Sequence, residues 1–310
     1  MCGETKVPLV YEPKIHKFQN QRGDAVITSY NVFPGIELSF YSVHMDSFLS
    51  RIEEKGNFME INHCREGCME QKREEGSVYI MPGDLSVITR RQYFSRYSFP
   101  LCHYHGISIS INVDAAPECL SCFLEDANVR PKELAWRLCR KENCFIIRSQ
   151  DYIEHIFSEL YQAPENCKKS YFKVKILELL LVLSSIDPAE NRTPSLSLSK
   201  LQTDLAKEAA ACLAKNLGRK VTVAELSGRF HVSQTHLQNA FKGVYGVPVS
   251  SYIRILKMQS AALQLIHTDT AVLEIAAEFG YSNAGKFASA FQRIMGETPC
   301  EYRKMHGFLQ

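Results

Sequence analysis

One stretch near the C-terminus carries side chains that can hydrogen-bond base edges or phosphates. Leu237, Phe241 and Val244 recur at spacings of four and three, which predicts a helix with one buried side. An ordinary surface helix would more usually carry Glu and Lys pairs. Here the other side instead presents amide, hydroxyl and amino groups that suit contacts with nucleic acid. These residues are Gln234, Thr235, Gln238, Asn239 and Lys242.

The same pattern occurs a second time further along the chain. Residues 223–252 are repeated at residues 273–302, and the offset changes from 49 to 50 positions because one residue is inserted in the second turn. In the first copy Thr222 and Glu225 predict a capping box, and Ser233 is a favourable N-cap for the second helix. Two copies of one helix-turn-helix unit predict two helices that each enter a groove of DNA.

The second copy has fewer side chains suited to base contacts. Phe287, Phe291 and Ile294 are expected to face inward, with Ser282 or Asn283 as the N-cap. Between the copies, residues 249–267 have helical apolar spacing and would span about 28 Å, enough to hold the two helices roughly one DNA turn apart. The outward candidates of the second copy are Asn283, Gly285, Lys286, Ser289 and Arg293.

Residues 201 to about 306 resemble the DNA-binding domain of the AraC/XylS family of bacterial transcription regulators. The matching hallmarks include Ala224-Glu225-Leu226, His236-Leu237, Phe241-Lys242, Phe279-Gly280-Tyr281 and Thr298-Pro299. The resemblance implies a double-stranded operator as partner, with Thr235, Gln238 and Asn239 as the best candidates for base contacts. It also implies RNA polymerase as a partner if the protein activates transcription. Since Ser289 stands where the family often has Arg, Lys286 and Arg293 are expected to contact mainly phosphates.

The first 115 residues predict β-structure. Short segments rich in β-branched and aromatic residues are separated by turn signals, and residues 107–113 alternate between apolar and polar types, which predicts one buried and one polar face. The Met81-Pro82-Gly83-Asp84 turn resembles a loop of the cupin-like sensor domain in many AraC-type regulators, which implies a small barrel around a small-molecule effector. The other predicted strands are residues 25–30, 36–43, 58–64, 77–81, 85–89 and 92–99.

Two groups of residues in this region invite a ligand or metal hypothesis. His103 and His105 are two positions apart and therefore share one face of a strand, but a matching Glu and further His of a catalytic cupin are not evident. We expect no metal, no cofactor and no catalytic residue, and we interpret the 11 cysteines, including the Cys119/Cys122 pair, as reduced thiols. The effector-binding candidates are Arg90, Tyr93, Tyr97, His103 and His105.

From residue 149 the apolar period becomes helical. A helix over residues 169–186 is apolar on more than one face, so it is expected to pack on the barrel and either within the chain or against the same helix of a second subunit in a homodimer. The sequence thus predicts an α+β protein with four parts. They are a cupin-like effector-binding domain (1–148), a helical dimerisation or connector segment (149–186), a linker (187–200) and an all-α DNA-binding domain with two helix-turn-helix motifs (201–310).

Charge and hydropathy are consistent with this organisation without proving it. Residues 201–310 carry 12 Lys and Arg against 8 Asp and Glu, a small basic excess at the DNA-binding end. A basic segment followed by an apolar one is missing at the N-terminus, so we expect a cytoplasmic protein with no membrane partner. The predicted function is effector-responsive transcription regulation rather than catalysis. The alternatives are a metal-dependent cupin enzyme or a redox or metal sensor fused to a DNA-binding domain, and a constitutive DNA-binding protein.

Overall fold

The α+β class is confirmed by a computed structural model, in which a sheet-rich region with helices packed on it precedes an all-helical C-terminal region. Among the residues that the structure describes, seven strands form an antiparallel sheet in the order β1-β2-β3-β10-β5-β8-β11, and four form a second sheet in the order β4-β9-β6-β7. The structure describes residues 12–20, 23–50, 55–73, 76–92, 95–120, 129–139, 144–148, 150–188, 199–219 and 221–306.

The strand bounds agree with several of the predicted segments. Residues 36–43 form β3 as predicted, whereas the strand predicted over residues 92–99 is shorter, because Gln92 still belongs to β8 and β9 covers only residues 95–98. The strands are β1 (Lys14–Asn20), β2 (Gly23–Phe33), β3 (Ile36–Val43), β4 (Ser47–Ser50), β5 (Lys55–Gly67), β6 (Met69–Arg73), β7 (Gly76–Ile80), β8 (Leu85–Gln92), β9 (Ser95–Ser98), β10 (Tyr104–Asn112) and β11 (Cys144–Ile147).

Strand β10 divides two apolar cores. Ile107, Ile109 and Ile111 belong to the core beneath the helices, whereas Tyr104 belongs to the core between the two sheets. The polar face predicted for this strand is present, but it is buried as well, since Ser108 is only 1% exposed. This polar face is buried because it points into the space between the two sheets, where Tyr104 lies in the core and the Ser108 hydroxyl donates a hydrogen bond to the Glu60 carboxylate at 3.4 Å.

In the described ranges, three α-helices cover the outer face of the larger sheet. They are α1 (Pro131–Cys139), α2 (Asp151–Tyr161) and α3 (Lys168–Ser185), and α3 lies within one residue of its predicted bounds. Phe172, Ile176 and Leu180 of α3 are fully buried against the sheet core. The intramolecular packing predicted as one alternative for this helix is therefore present, while Val174 on another face is 62% exposed.

In the described part of the C-terminal region there are seven helices. Helix α7 has the predicted bounds and contacts both copies of the repeated unit, because Tyr252 packs on Phe241 of the first copy and Met258 shares a core with Phe287 of the second. The helices are α4 (Lys200–Ala214), α5 (Val223–Arg229), α6 (Gln234–Tyr245), α7 (Val249–His267), α8 (Val272–Glu278), α9 (Ala284–Met295) and α10 (Pro299–His306). No helix in the described part of the chain is long and apolar enough to cross a membrane.

The helical region is docked on the sheet region. Cys68, Tyr79 and Leu101 from the sheet side are buried in the same cluster as the first helix-turn-helix unit. The Gln259 side chain of α7 donates a hydrogen bond to the Leu101 carbonyl at 2.6 Å. The two regions thus share apolar as well as polar contacts.

Candidate nucleic-acid interface

Both helices of the first repeated unit begin with a side-chain cap, whereas α8, the first helix of the second unit, has Ala271 at its N-cap and no side-chain cap. The Thr222 hydroxyl accepts a hydrogen bond from the Glu225 backbone N–H at 3.2 Å, and Ser233 caps α6 in the same way. The predicted capping box at Thr222 is only half correct, because the Glu225 carboxylate accepts two hydrogen bonds from Arg219, at 2.6 and 3.0 Å, and does not reach back to the Thr222 backbone. This ion pair keeps the pKa of Glu225 below its usual value through the Arg219 hydrogen bonds.

The turns between the paired helices use left-handed backbone. His231 in the first unit has φ of 54°, and Gly280 in the second unit has φ of 80°. These residues are 49 positions apart, so they occupy the same place in the repeat. Left-handed backbone reverses the chain in a few residues, which sets the angle at which the second helix of each unit leaves the first.

Helix α6 presents its polar side to solvent as predicted. Leu237, Phe241 and Val244 have no exposed surface and hold the helix to its domain. All five candidate contact residues are exposed, and a helix with this face is free to lie in a major groove. They are Gln234, Thr235, Gln238, Asn239 and Lys242.

Helix α9 has the same orientation with a different chemistry. Phe287 and Phe291 are fully buried, and Ile294 is half-buried rather than facing fully inward. Asn283 is the N-cap, and its side-chain oxygen accepts the Lys286 backbone N–H at 2.9 Å, so that oxygen is engaged in the helix itself. The exposed candidates are Asn283, Gly285, Lys286, Ser289 and Arg293.

Two basic residues outside the predicted set of DNA contacts hold the second unit in place. The Lys257 ammonium of α7 donates to the Phe279 carbonyl at 2.8 Å, and burial lowers the pKa of this lysine. Arg303 of α10 donates to the Leu265 and Thr270 carbonyls. The side chains contact carbonyl groups at helix ends distant in sequence, so helical spacing alone carries no signal for them.

Comparison with known proteins finds a family match for part of the C-terminal region. Residues 226–305 match the family described as a helix-turn-helix domain. The chain is 33% identical over 91 residues to the bifunctional transcriptional activator/DNA repair enzyme AdaA of Bacillus subtilis, covering 29% of this chain and 43% of AdaA. It is 26% identical over 105 residues to the transcriptional activator AarP of Providencia stuartii, covering 34% of this chain and 78% of AarP.

The C-terminal region is an AraC-type helix-turn-helix domain. The C-terminal domain of AraT, a response regulator from Geobacillus stearothermophilus, also matches, with 24% identity, a TM-score of 0.32 and coverage of 34% of this chain and 88% of that one. The chain spans less than half the length of AdaA, and the similarity to these three proteins lies in about a third of this chain. The matched relatives AdaA and AarP are transcriptional activators.

The sheet region docked on this AraC-type domain places the effector candidates in two separate groups. Tyr97 donates a hydrogen bond to the Glu60 carboxylate at 3.0 Å, and Arg90 pairs with the same carboxylate at 3.2 Å. Glu60 is 1% exposed and was missed in the sequence, where its only signal is an acidic residue inside an apolar strand. Tyr93 lies outside the described residues. Because Tyr97 belongs to the core between the two sheets, this first group lies there.

His103 and His105 form the second group, together with His44. The three rings have centroids 4.8 to 5.5 Å apart. Burial is the largest cause lowering the pKa of His44 well below its usual value, and it lowers the pKa of His105 to about 4, with the neighbouring imidazoles acting in the same direction. His44 was missed because it is 59 positions away in sequence from His103 and reaches it only through the pairing of β3 with β10.

A cleft of about 260 Å³ separates the edge of the larger sheet from the AraC-type domain. Lys17 and Phe18 of β1 line one side, and Ile266, Met305 and His306 of α7 and α10 line the other.

The geometry of the Cys119/Cys122 pair is not described, since Cys122 lies outside the described residues.

Proposed function

We propose that this protein is an effector-responsive, sequence-specific transcription regulator of the AraC type. The observation that carries the proposal is the pair of exposed polar helix faces, α6 and α9, held by one connecting helix in a domain of this family. Base contacts come mainly from Thr235, Gln238 and Asn239, because their amide and hydroxyl groups are exposed. Lys242, Lys286 and Arg293 supply charge-based contacts to phosphates.

The sheet region is proposed to be the sensor, in a part with bounds near residues 1–148. A buried carboxylate with an arginine and a tyrosine beside it can recognise a small molecule by hydrogen bonds, and Glu60, Arg90 and Tyr97 are such a group. The docking of this region on the DNA-binding domain offers a physical route for an effector to change DNA affinity. A cytoplasmic homodimer using the region of α3 is also part of the proposal.

The proposal is tested by substituting the two amide residues on α6. Gln238→Ala and Asn239→Ala should each weaken binding to a DNA sequence selected by the wild-type protein, by about 1–3 kcal/mol for each bidentate pair of hydrogen bonds to a base that the substitution removes. Fluorescence anisotropy at fixed salt measures the change.

The matched control is Gln162→Ala, which removes an exposed amide at the end of α2 in the sheet region and should leave affinity unchanged. Competition with unrelated DNA separates base contacts from phosphate contacts, since the α6 variants should lose specific affinity only. Wild-type affinity in both α6 variants would rule out this helix as the base-contacting element.

A further inference from the structure

Three histidines from two neighbouring strands converge at one end of the larger sheet. His44 follows β3, while His103 and His105 flank the first residue of β10. One ring nitrogen from each lies within 4.8 Å of the other two. Tetrahedral zinc with bonds of 2.0–2.1 Å needs nitrogens about 3.4 Å apart, so shifts of about 1 Å per ring would close the site.

The strand register places this cluster outside the core between the sheets. Tyr104 pairs with Val43, and both belong to that core. Because side chains alternate along a strand, His103 and His105 lie on the opposite face. The group is therefore separate from the Glu60 cluster, which lies between the sheets.

Two buried ring nitrogens of this cluster accept and donate no hydrogen bond within the described residues, so they can bind a ligand. His44 and His103 are 9% and 4% exposed, and their Nδ1 atoms have no hydrogen-bond partner within the described part of the chain. An unsatisfied buried polar atom is costly, so such atoms call for an explanation. The other nitrogen of His103, Nε2, faces the Glu66 carboxylate at 3.5 Å. A carboxylate behind a histidine is a common way to orient a metal ligand.

The backbone next to Glu66 allows β5 to pass very close to the backbone of His103. Gly67 has φ of 86°, and a Cβ atom at this position would fall 2.0 Å from the His103 carbonyl oxygen. Only glycine fits there, so β5 can bring Glu66 beside His103. We infer that His44, His103 and His105 bind a divalent transition-metal ion of the zinc type, with Glu66 as a positioning residue, and that this ion is an effector of the protein.

The second half of this inference rests on the proposed function and on a chain of contacts to the DNA-binding domain. The His44 backbone N–H donates to the Asp24 carbonyl at 2.8 Å. The Asp24 carboxylate in turn lies 3.9 Å from His306 of α10. A metal ion that fixes the position of His44 is therefore two contacts away from α10, the helix at the end of the second helix-turn-helix unit.

Metal binding is tested on the full chain after removal of metal by a chelator, in the presence of reductant. Calorimetric titration with Zn²⁺ should show one ion per chain in the wild type, loss of that binding in His105→Ala, and roughly 10–100-fold weaker binding in Glu66→Gln. His155→Ala removes an exposed histidine of α2 and is the matched control. His105 is only half-buried, and thermal unfolding checks that its variant is folded.

Cysteine-bound metal is distinguished by cobalt. Co²⁺ held by imidazoles lacks the intense near-ultraviolet thiolate band that cysteine ligands produce. No binding, binding that survives His105→Ala, or a thiolate band would each overturn the site.

The effector role is tested separately, by measuring affinity for a selected DNA sequence with and without Zn²⁺. We expect a change of about 5–150-fold in the wild type and none in His105→Ala. Unchanged affinity in the wild type would overturn the effector role of the metal ion, but it would not contradict the metal site itself. Absence of DNA binding under every condition would instead contradict the proposed function, and the calorimetric result would be unaffected.

Discussion

Buried titratable side chains of the sheet region are held by specific neighbours, and His63 is the clearest case. Its ring is 2% exposed, stacks on Phe157 with centroids 4.1 Å apart, and has Nε2 3.2 Å from the Glu154 carboxylate. Burial lowers the pKa of His63 more than Glu154 raises it. The folded protein therefore keeps this ring neutral at a pH where the unfolded chain binds a proton.

This difference predicts a loss of stability in mild acid. Below the unfolded pKa of about 6.5 the unfolded state binds more protons at this site, so the free energy of unfolding falls as pH falls towards the lower pKa of the folded state. The contribution of His63 is at most about 1.4 kcal/mol per pH unit. Denaturant unfolding at about pH 7.5 and 5.5 measures it.

His63→Gln is the matched variant, because it keeps a donor towards Glu154 and cannot titrate. The wild type should lose more stability than the variant across this pH range, while contributions from His44 and His105 are present in both proteins and cancel. Parallel loss in the two proteins would show that His63 is not the group responsible.

At the scale of elements, the turn of each helix-turn-helix unit depends on one left-handed residue. His231 adopts this conformation in the first unit and Gly280 in the second. Left-handed backbone destabilises a residue that has a Cβ atom by about 1–2 kcal/mol. Because the nearest atom to a Cβ on Gly280 would be the Lys257 ammonium at 3.5 Å, an ordinary contact, the backbone angle alone sets the expected effect there.

Gly280→Ala is therefore expected to lower the free energy of unfolding by about 1–2 kcal/mol. Gly228→Ala is the matched control, because this glycine lies inside α5 with no atom within 4 Å of an added Cβ. Alanine should stabilise that helix by roughly 0.5–1 kcal/mol. Denaturant unfolding distinguishes the two, and equal stability of the variants would contradict the assignment of strain to the turn.

Elements with strong local signals could be predicted from the sequence. The bounds of α7 and β3 agree because helical spacing and β-branched content act within a few residues. Strands β1 and β6 were missed, since KIHKFQN and MEQKR are mostly polar and become strands through pairing with β2 and with β7. Edge positions and register are set by distant partners, which local patterns do not contain.

The candidate contact surface was also accessible from sequence, but the two sensor clusters were not. Exposure on α6 follows from the position of Leu237 and Phe241 in the helical period. The Glu60 group depends on β5 and β9 facing each other across two sheets, and the histidine cluster depends on β3 pairing with β10. Arg90 and His105 were both predicted to contact the effector. They lie on opposite sides of the larger sheet, because Arg90 faces the second sheet and His105 faces away from it.

At the scale of the whole molecule, the DNA-binding domain does not stand apart from the sheets. Leu101 is 1% exposed and is buried together with residues of α4, α6 and α7, and the Glu70 carboxylate lies 3.5 Å from the Lys207 ammonium of α4. These contacts lie on the side of α6 away from its polar face. The candidate base-contacting residues therefore stay exposed while the first unit is docked.

The central claim, that two helices of one chain contact DNA together, is tested most directly by selecting bound sequences from a random DNA pool with the full chain at fixed moderate salt. We expect an enriched motif with two parts whose centres lie about 10–10.5 base pairs apart, roughly one helical turn. A motif with only one part, or no enrichment at any salt concentration, would contradict the claim.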